Sequence, residues 1–391
     1  MSDIFILSAV RSAIGDFGGA LQSLSPTELG TAIAREAIAR SAIAAEQIET
    51  SVFGNVIHTE PKDMYLSRVV AVSAGVPVTS PALTLNRLCG SGLQALVSGA
   101  EAIQLGHAAS ALVGGAESMS RAGHLVSFAR FGTKMGDVTA TDMMVGALND
   151  PFGHGHMGVT AENVAEDHDI NRDMQDEFAA TSHRRAVNAI ENGYFTDQIL
   201  PLEVKSGRNM IRFDTDDHPR GDVTSGSLAK LRPAFKKDGT VTAGNASSIN
   251  DGAAALVLSS KAALSSDSAP LARIVSTGLG GVDPRVMGLG PIPAVQQALA
   301  RAGLSIADMD VVESNEAFAA QACAVAQSLD LDPEKTNPNG GAIALGHPIG
   351  ASGAIIMVKL IHELRRRGGK YGLATMCIGG GQGIAVIIEV C

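Results

Sequence analysis

The chemistry-bearing residues of this chain gather in four short stretches, each at the end of a strand-like run. They are Asn86-Arg87-Leu88-Cys89-Gly90-Ser91-Gly92, Asn315-Glu316-Ala317-Phe318, Gly346-His347-Pro348-Ile349-Gly350 and Cys377-Ile378-Gly379-Gly380-Gly381-Gln382-Gly383. Cys89 follows an extended apolar run (Ala82, Leu83, Leu85) and precedes helical spacing at Leu93, Leu96, Val97, Ala100 and Ile103. A cysteine at such a turn meets outward-pointing backbone N–H groups and the positive end of the helix dipole. Its thiol, ordinarily near a pKa of about 8.5, is therefore expected to fall toward neutrality or below. Glycines on either side of Ser91 predict a tight turn that exposes the sulfur without a Cβ to crowd a ligand, a cysteine form of the nucleophile elbow. Taken one at a time, each stretch also has a plain structural reading: a packed cysteine, a helix-capping asparagine, a loop histidine and a glycine hairpin.

Other chemistries fit less well. The glycine-rich turn after Cys377 lacks the Lys-Ser/Thr of a phosphate-binding loop and leads into a strand, not a helix. His154 and His156 stand two apart in a glycine-rich loop without a nearby third ligand, and Cys89, Cys323, Cys377 and Cys391 form no C-x-x-C pair, so no metal site is expected. A net charge of −10 argues against nucleic acid or an anionic membrane as partner, while leaving room for local basic spots that meet a phosphorylated ligand. No run approaches the roughly 18 apolar residues needed to span a bilayer, and the N-terminus shows no secretion signal. A reducing, cytoplasmic setting is the expectation.

The elements that must carry these stretches follow from the pattern. With 45% hydrophobic residues, 44 glycines and no tryptophan in 391 residues, the chain suits a close-packed α/β protein. Strand-like runs at Ile4–Ala9, Ser51–Ile57 and Ala111–Gly115 alternate with helical runs after Ser25-Pro26-Thr27-Glu28 and over Met64–Ala74, predicting a mostly parallel sheet covered on both faces. From residue 120 the texture changes to a Gly-, Met- and Asp-rich stretch, a helical segment over Thr160–Asn192 and a polar run over Lys205–Pro233, before regular structure resumes at Asn250–Ser259 with a buried strand over Ala253–Leu258. An excursion of that length is usually functional. The last third then repeats the first: Asn55 and Asn86 are echoed by Asn315 and Asn337, each pair separated by a helix. Two related halves facing each other would set their corresponding turns around one pocket.

Asn-x-x-Cys89-Gly-Ser-Gly, the HMGVTAENVA run from His156, Asn315-Glu316-Ala317-Phe318-Ala319, NPNGGAIALGHPIGASG from Asn337 and CIGGGQG from Cys377, in this order, resemble the thiolases over nearly the whole chain. The stretch FGNVIHTEPKDMYL from Phe53 and the His156-Met157-Gly158 loop are most similar to bacterial acetyl-CoA acetyltransferases and β-ketothiolases of short-to-medium acyl range. The resemblance implies duplicated βαβαβ halves in a layered α/β/α/β/α core: an N-terminal half over 1–119 and 250–270, an inserted loop domain over 120–249 for CoA binding and tetramer contacts, and a C-terminal half over 271–391. It implies Cys89 as nucleophile, His347 as its base, Cys377 as the acid/base at the α-carbon, Asn315 as holder of an oxyanion-hole water, and the Gly379 and Cys89 N–H groups as the second oxyanion hole. A thiol titrating near neutrality suits the Cys377 role.

By position, His156 and Ser247 match pantetheine contacts, Arg220 the residue beside the adenine, and Met157, Phe235, Met287 and Phe318 the walls of the acyl pocket. Related sequences often read Gly-Leu where this chain has Ser248-Ile249. The implied activity is condensation of two acetyl-CoA or thiolysis of 3-ketoacyl-CoA by CoA in fatty acid metabolism, with CoA thioesters as substrates, no cofactor, and a homotetrameric assembly. A decarboxylating ketoacyl synthase is the enzymatic alternative, for which His or Asn would be expected at Cys377. A non-catalytic acyl-CoA or lipid carrier on the same fold is the other.

Overall fold

A computed structural model describes residues 3–264 and 268–391. The expected return of the N-terminal half over 250–270 therefore includes three positions, 265–267, outside the described residues. Nine strands form the main path of one large sheet: β1 (Ile4–Arg11), β2 (Thr50–Gly54), β3 (Ala82–Leu85), β4 (Ser110–Ser118), β5 (Asn250–Ser260), β6 (Ala272–Gly281), β7 (Val311–Ser314), β8 (Tyr371–Ile378) and β9 (Gln382–Val390). Their spatial order is β7-β8-β9-β6-β1-β5-β4-β2-β3, with the short segment Gly15–Asp16 pairing beside β5.

The order is a repeat. Outward from the centre, one side runs β1-β5-β4-β2-β3 and the other β6-β9-β8-β7, completed by a parallel bridge from Val312 to Thr336. In both, the two inner pairings are antiparallel and the outer ones parallel. The sheet is thus mixed rather than mostly parallel. Alternating strands and helices in the first third suggested parallel crossovers; at the other end β8 turns straight into β9, as the glycine-rich turn before the last strand implies, through Gly380 and Gly381, whose φ angles of +79° and +83° suit glycine. β5, arriving after the long excursion, runs against both its neighbours.

Local signals set the helices. In α1 (Pro26–Arg40), the Ser25 hydroxyl accepts from the Glu28 N–H and the Glu28 carboxylate accepts from the Ser25 N–H, a capping box worth about 1 kcal/mol. The single helical segment expected over Thr160–Asn192 is two helices, α4 (Met157–Asp167) and α5 (Arg172–Glu191), broken where Asp169 takes a φ of +55°. Numbered with these in chain order, the other helices of eight residues or more are α2 (Leu66–Ser73), α3 (Ser91–Gln104), α6 (Pro291–Ala302), α7 (Ala319–Leu329) and α8 (Ile349–Arg367).

Helices α1 and α2 cover one face of the N-terminal strands, while α6 and α7 cover the far face of the C-terminal ones. Between them α3 and α8 pack on each other, and α8 touches strands of both halves. Their crossing depends on glycine. A Cβ on Gly92 would lie 2.5 Å from the Ala354 nitrogen, and one on Gly353 would lie 2.3 Å from the Leu93 nitrogen. The two helix starts therefore meet backbone to backbone, bringing the turns before them, at Cys89 and His347, to one place.

Candidate active site

Leu88, immediately before Cys89, adopts a left-handed φ of +48°, a conformation that costs a non-glycine residue about 1–3 kcal/mol. The turn over-determines it. The Leu88 N–H donates to Asn86 Oδ1 at 2.9 Å, the Ser91 hydroxyl donates to the Leu88 carbonyl at 2.7 Å, and the Arg87 N–H donates to Ser91 Oγ at 2.8 Å. The glycines beside Ser91 serve packing, contrary to the expectation that they clear space for a ligand. A Cβ at Gly90 would sit 2.4 Å from Ile378 Cδ1, so the Cys89 turn lies directly on the strand end that carries Cys377.

Cys89, His347, Cys377 and Gly379 line one cavity of about 600 Å³ together with His156, Met157, Phe235, Ser247, Met287 and Phe318. His156 stacks on Phe235 with centroids 4.8 Å apart, and Phe235 meets Phe318 edge-on at 6.1 Å. The His156 Nδ1 accepts from the Gly158 N–H and so starts α4, while the Ser247 N–H donates to the Ala317 carbonyl. Sequence reading missed Leu88, Leu148 and Ile249 on the wall. Only the strand-to-helix position of Leu88 offered a signal.

Two expected residues lie outside this cavity. Arg220 is exposed and borders a separate concavity with Arg184, Asn188 and Thr224. Asn315 is buried beside a space of about 20 Å³ shared with Gly346 and Ser352, large enough for one water. Neither amide atom of Asn315 has a partner among the described residues, an arrangement that a bound water would relieve.

The protonation of the site differs from expectation. The Cys89 sulfur has surface open to the cavity but lies deep, and burial pushes its thiol up to about 11, although the Gly379 N–H and its own N–H both favour the anion. Loss of bulk water outweighs the helix dipole, so the resting group is a thiol and the expected near-neutral pKa is not found. Burial raises the Cys377 thiol still more, with the nearby Cys89 adding to it, so it too does not titrate near neutrality. Burial drives His347 the other way, down to about 4, leaving a neutral imidazole.

The ring is held in one tautomer by its surroundings. Ser352 Oγ donates to the Pro348 carbonyl at 2.9 Å and lies 2.6 Å from His347 Nδ1, so it accepts from the ring. Nδ1 then carries the proton, and buried Nε2, which has no partner among the described residues, presents a lone pair. The His347 backbone N–H donates to Asn250 Oδ1, which also accepts from the Ser248 hydroxyl, giving the unusual Ser248 a place in the support of the site. Ser352 and Asn250 were not recognisable from sequence, since their partners become neighbours only on folding.

The arrangement offers a buried thiol, a base with a free lone pair, a second thiol and two N–H groups converging at the first sulfur, on an apolar cavity. That is a set suited to acyl transfer with proton movement at a neighbouring carbon. Known proteins agree. The thiolase N-terminal domain matches residues 4–262 and the thiolase C-terminal domain residues 268–390. Beta-ketothiolase BktB of Cupriavidus necator is 58% identical over 389 residues, covering 99% of each chain. The 3-ketoacyl-CoA thiolase of human mitochondria is 47% identical, covering 99% of this chain and 98% of its own. Its crystal structure in complex with CoA superposes with a TM-score of 0.97, covering 100% of this chain and 98% of that one. The acetyl-CoA acetyltransferase of Bacillus anthracis, 46% identical, also reaches 0.97 with coverage of 100% and 99%. From its first strand to its last, the chain belongs to the thiolase family.

Proposed function

We propose that this protein is an acyltransferase acting on coenzyme A thioesters, joining two acetyl-CoA into acetoacetyl-CoA or cleaving 3-ketoacyl-CoA with CoA. One observation carries the reading: two thiols, a neutral imidazole and the Gly379 N–H share a single apolar cavity. His347 Nε2 takes the Cys89 proton as the sulfur attacks the thioester carbonyl, and returns it to the departing CoA sulfur. The Cys89 and Gly379 N–H groups, which now meet the sulfur, hold the acyl oxygen of the covalent intermediate. In the second half-reaction Cys377 gives its thiol proton to His347 Nε2 and, as thiolate, removes the α-proton of the second thioester. The enolate oxygen is held by the now protonated His347 and a water on Asn315, its carbon attacks acyl-Cys89 to release the product, and the freed Cys89 sulfur takes its proton back from His347. A synthase that decarboxylates its substrate has no use for a thiol base at Cys377.

Met157, Phe235, Met287 and Phe318 limit the acyl group, His156 and Ser247 meet the pantetheine arm, and Arg220 reaches the adenine end outside the cavity. No cofactor enters this scheme. The same reading has the protein working as a homotetramer in the cytoplasm. In its support, the loop between residues 124 and 145 exposes Leu125, Phe131, Met135 and Val145, with Phe131 91% and Met135 93% open, and both site thiols must stay reduced to act. Sedimentation and cell fractionation test those two points. The chemistry is tested by Cys377→Ala: it should still form acetyl-Cys89 and exchange labelled CoA into acetyl-CoA, yet lose condensation and exchange of acetyl α-hydrogens with deuterium. Loss of CoA exchange as complete as loss of condensation would refute this division of labour.

A further inference from the structure

The repeat of the sheet assigns a counterpart to each site residue. In the C-terminal half β7 ends at Ser314, opposite Thr375 of β8; Asn315 follows the one and Cys377 lies two beyond the other. In the N-terminal half β2 ends at Gly54, opposite Gly115 of β4; Asn55 follows the one and Glu117 lies two beyond the other. Glu117 thus occupies the position of Cys377, and Asn55 that of Asn315.

Cys377 lines the main cavity, whereas Glu117 is held by protein donors. It is fully buried and accepts hydrogen bonds from the Val56 and Ile57 N–H groups, Asn55 Nδ2 and the Gly350 N–H, at 2.9–3.1 Å. The first three belong to the loop after β2. The fourth belongs to the first turn of α8, three residues after His347 and in the other half of the molecule. Ile57 and Ile349, flanking these donors, pack together, and Cys89 packs on them.

We propose that Glu117 is a positioning residue for acyl transfer: its carboxylate ties the turn carrying His347 to the loop after β2, fixing the imidazole against the Cys89 turn. The role rests on the acyl-transfer reading above. Burial pushes the Glu117 carboxyl up to about 8 against the pull of its donors at Ile57, Val56 and Gly350; once ionised, its charge suits the start of α8 through the helix dipole.

The charged groups near this carboxylate are Asp63 and, when ionised, Cys89, while Cys89 in turn faces Cys377 and lines the cavity with His347. A charged Glu117 disfavours the Cys89 thiolate. Glu117→Gln, which keeps the volume but turns an NH2 toward an N–H donor, should lower kcat for CoA exchange about 100-fold with KM for acetyl-CoA changed less than about 2-fold, as expected of a displaced base. It should also move the pH midpoint of Cys89 alkylation by iodoacetamide downward, while Glu117→Asp, which shortens the side chain but keeps its charge, leaves the midpoint in place; simple loosening of the core would lower it in both variants. Asn55→Ala, removing one donor of four, should lower kcat in the same direction by about 3–10-fold.

Wild-type protein without CoA exchange would overturn the acyl-transfer reading and this inference with it. Wild-type exchange, with Glu117→Gln folded and unchanged in both kcat and alkylation midpoint, would overturn the inference alone. Should Glu117→Gln fail to fold, Asn55→Ala with unaltered kcat would do the same.

Discussion

The two halves share strand order, pairing sense and helix placement, yet they treat matching polar residues in opposite ways. On the N-terminal side, the Asn55 amide nitrogen donates to Ala116 O and to Glu117, and that carboxylate gathers four donors, although Asn55 Oδ1 has no partner among the described residues. On the C-terminal side, Asn315 has no partner for either amide atom among the described residues, and Cys377 faces an open cavity. Buried polar groups normally find partners, so hydrogen bonds left unmade mark where a substrate or water completes the structure. Where the bonds are made, the same framework has become a clamp.

The sharpest way to break this comparison is at Cys89. Cys89→Ser should lower activity by at least about 10³-fold and abolish the acetyl label on the Leu88–Gly92 peptide, because a hydroxyl is a far weaker nucleophile. A label found by mass spectrometry on Cys377 or Cys323 instead would move the reactive centre to the other half. Next in size, Asn315→Ala should reduce kcat by about 10²–10³-fold if it holds the oxyanion water, well beyond the effect of Asn55→Ala. Equal losses for the two asparagines would erase the distinction between made and unmade bonds.

The buried neutral histidine sharpens the comparison through stability. The folded pKa of His347 is about 4 against an ordinary 6.5, so the unfolded chain binds the proton first as pH falls. Stability from this group is full above pH 6.5 and is lost as pH drops toward 4, on the order of 2 kcal/mol between pH 7.5 and 5. The urea midpoint of His347→Gln should therefore fall less over that interval than that of the wild type. The smallest effect is expected at Arg220, exposed and outside the main cavity: Arg220→Ala should raise KM for acetyl-CoA a few-fold, about 2–5, with kcat unchanged.

What the sequence made legible was local. Ser25 and Glu28 announced their capping box, the Cys89 and His347 turns lay at strand-to-helix junctions, and Gly380-Gly381 made the hairpin. The repeat of the halves was readable from paired asparagines, and the main pocket walls from motif resemblance. What stayed hidden required distant partners. The antiparallel centre depends on β5 arriving some 130 residues after β4, the tautomer of His347 on Ser352, and the raised Cys89 thiol on how much protein closes over it. Glu117 read as one more acidic residue because its donors come from positions 55–57 and 350.

The position of β5 also governs the order in which the chain can acquire structure. The strand sits between β1 and β4, and its residues 250–260 are made only after the whole excursion. A nascent chain of 200 residues therefore holds β1 and β4 without the strand that joins them, exposing two sheet edges and the apolar faces of α1 and α3. Such open edges invite aggregation and slow closure, because a long loop must be drawn in before its contacts stabilise it. Fragments ending before residue 250 should need chaperone protection to stay soluble, and those extending past residue 260 should begin to resist protease across β1, β4 and β5 together.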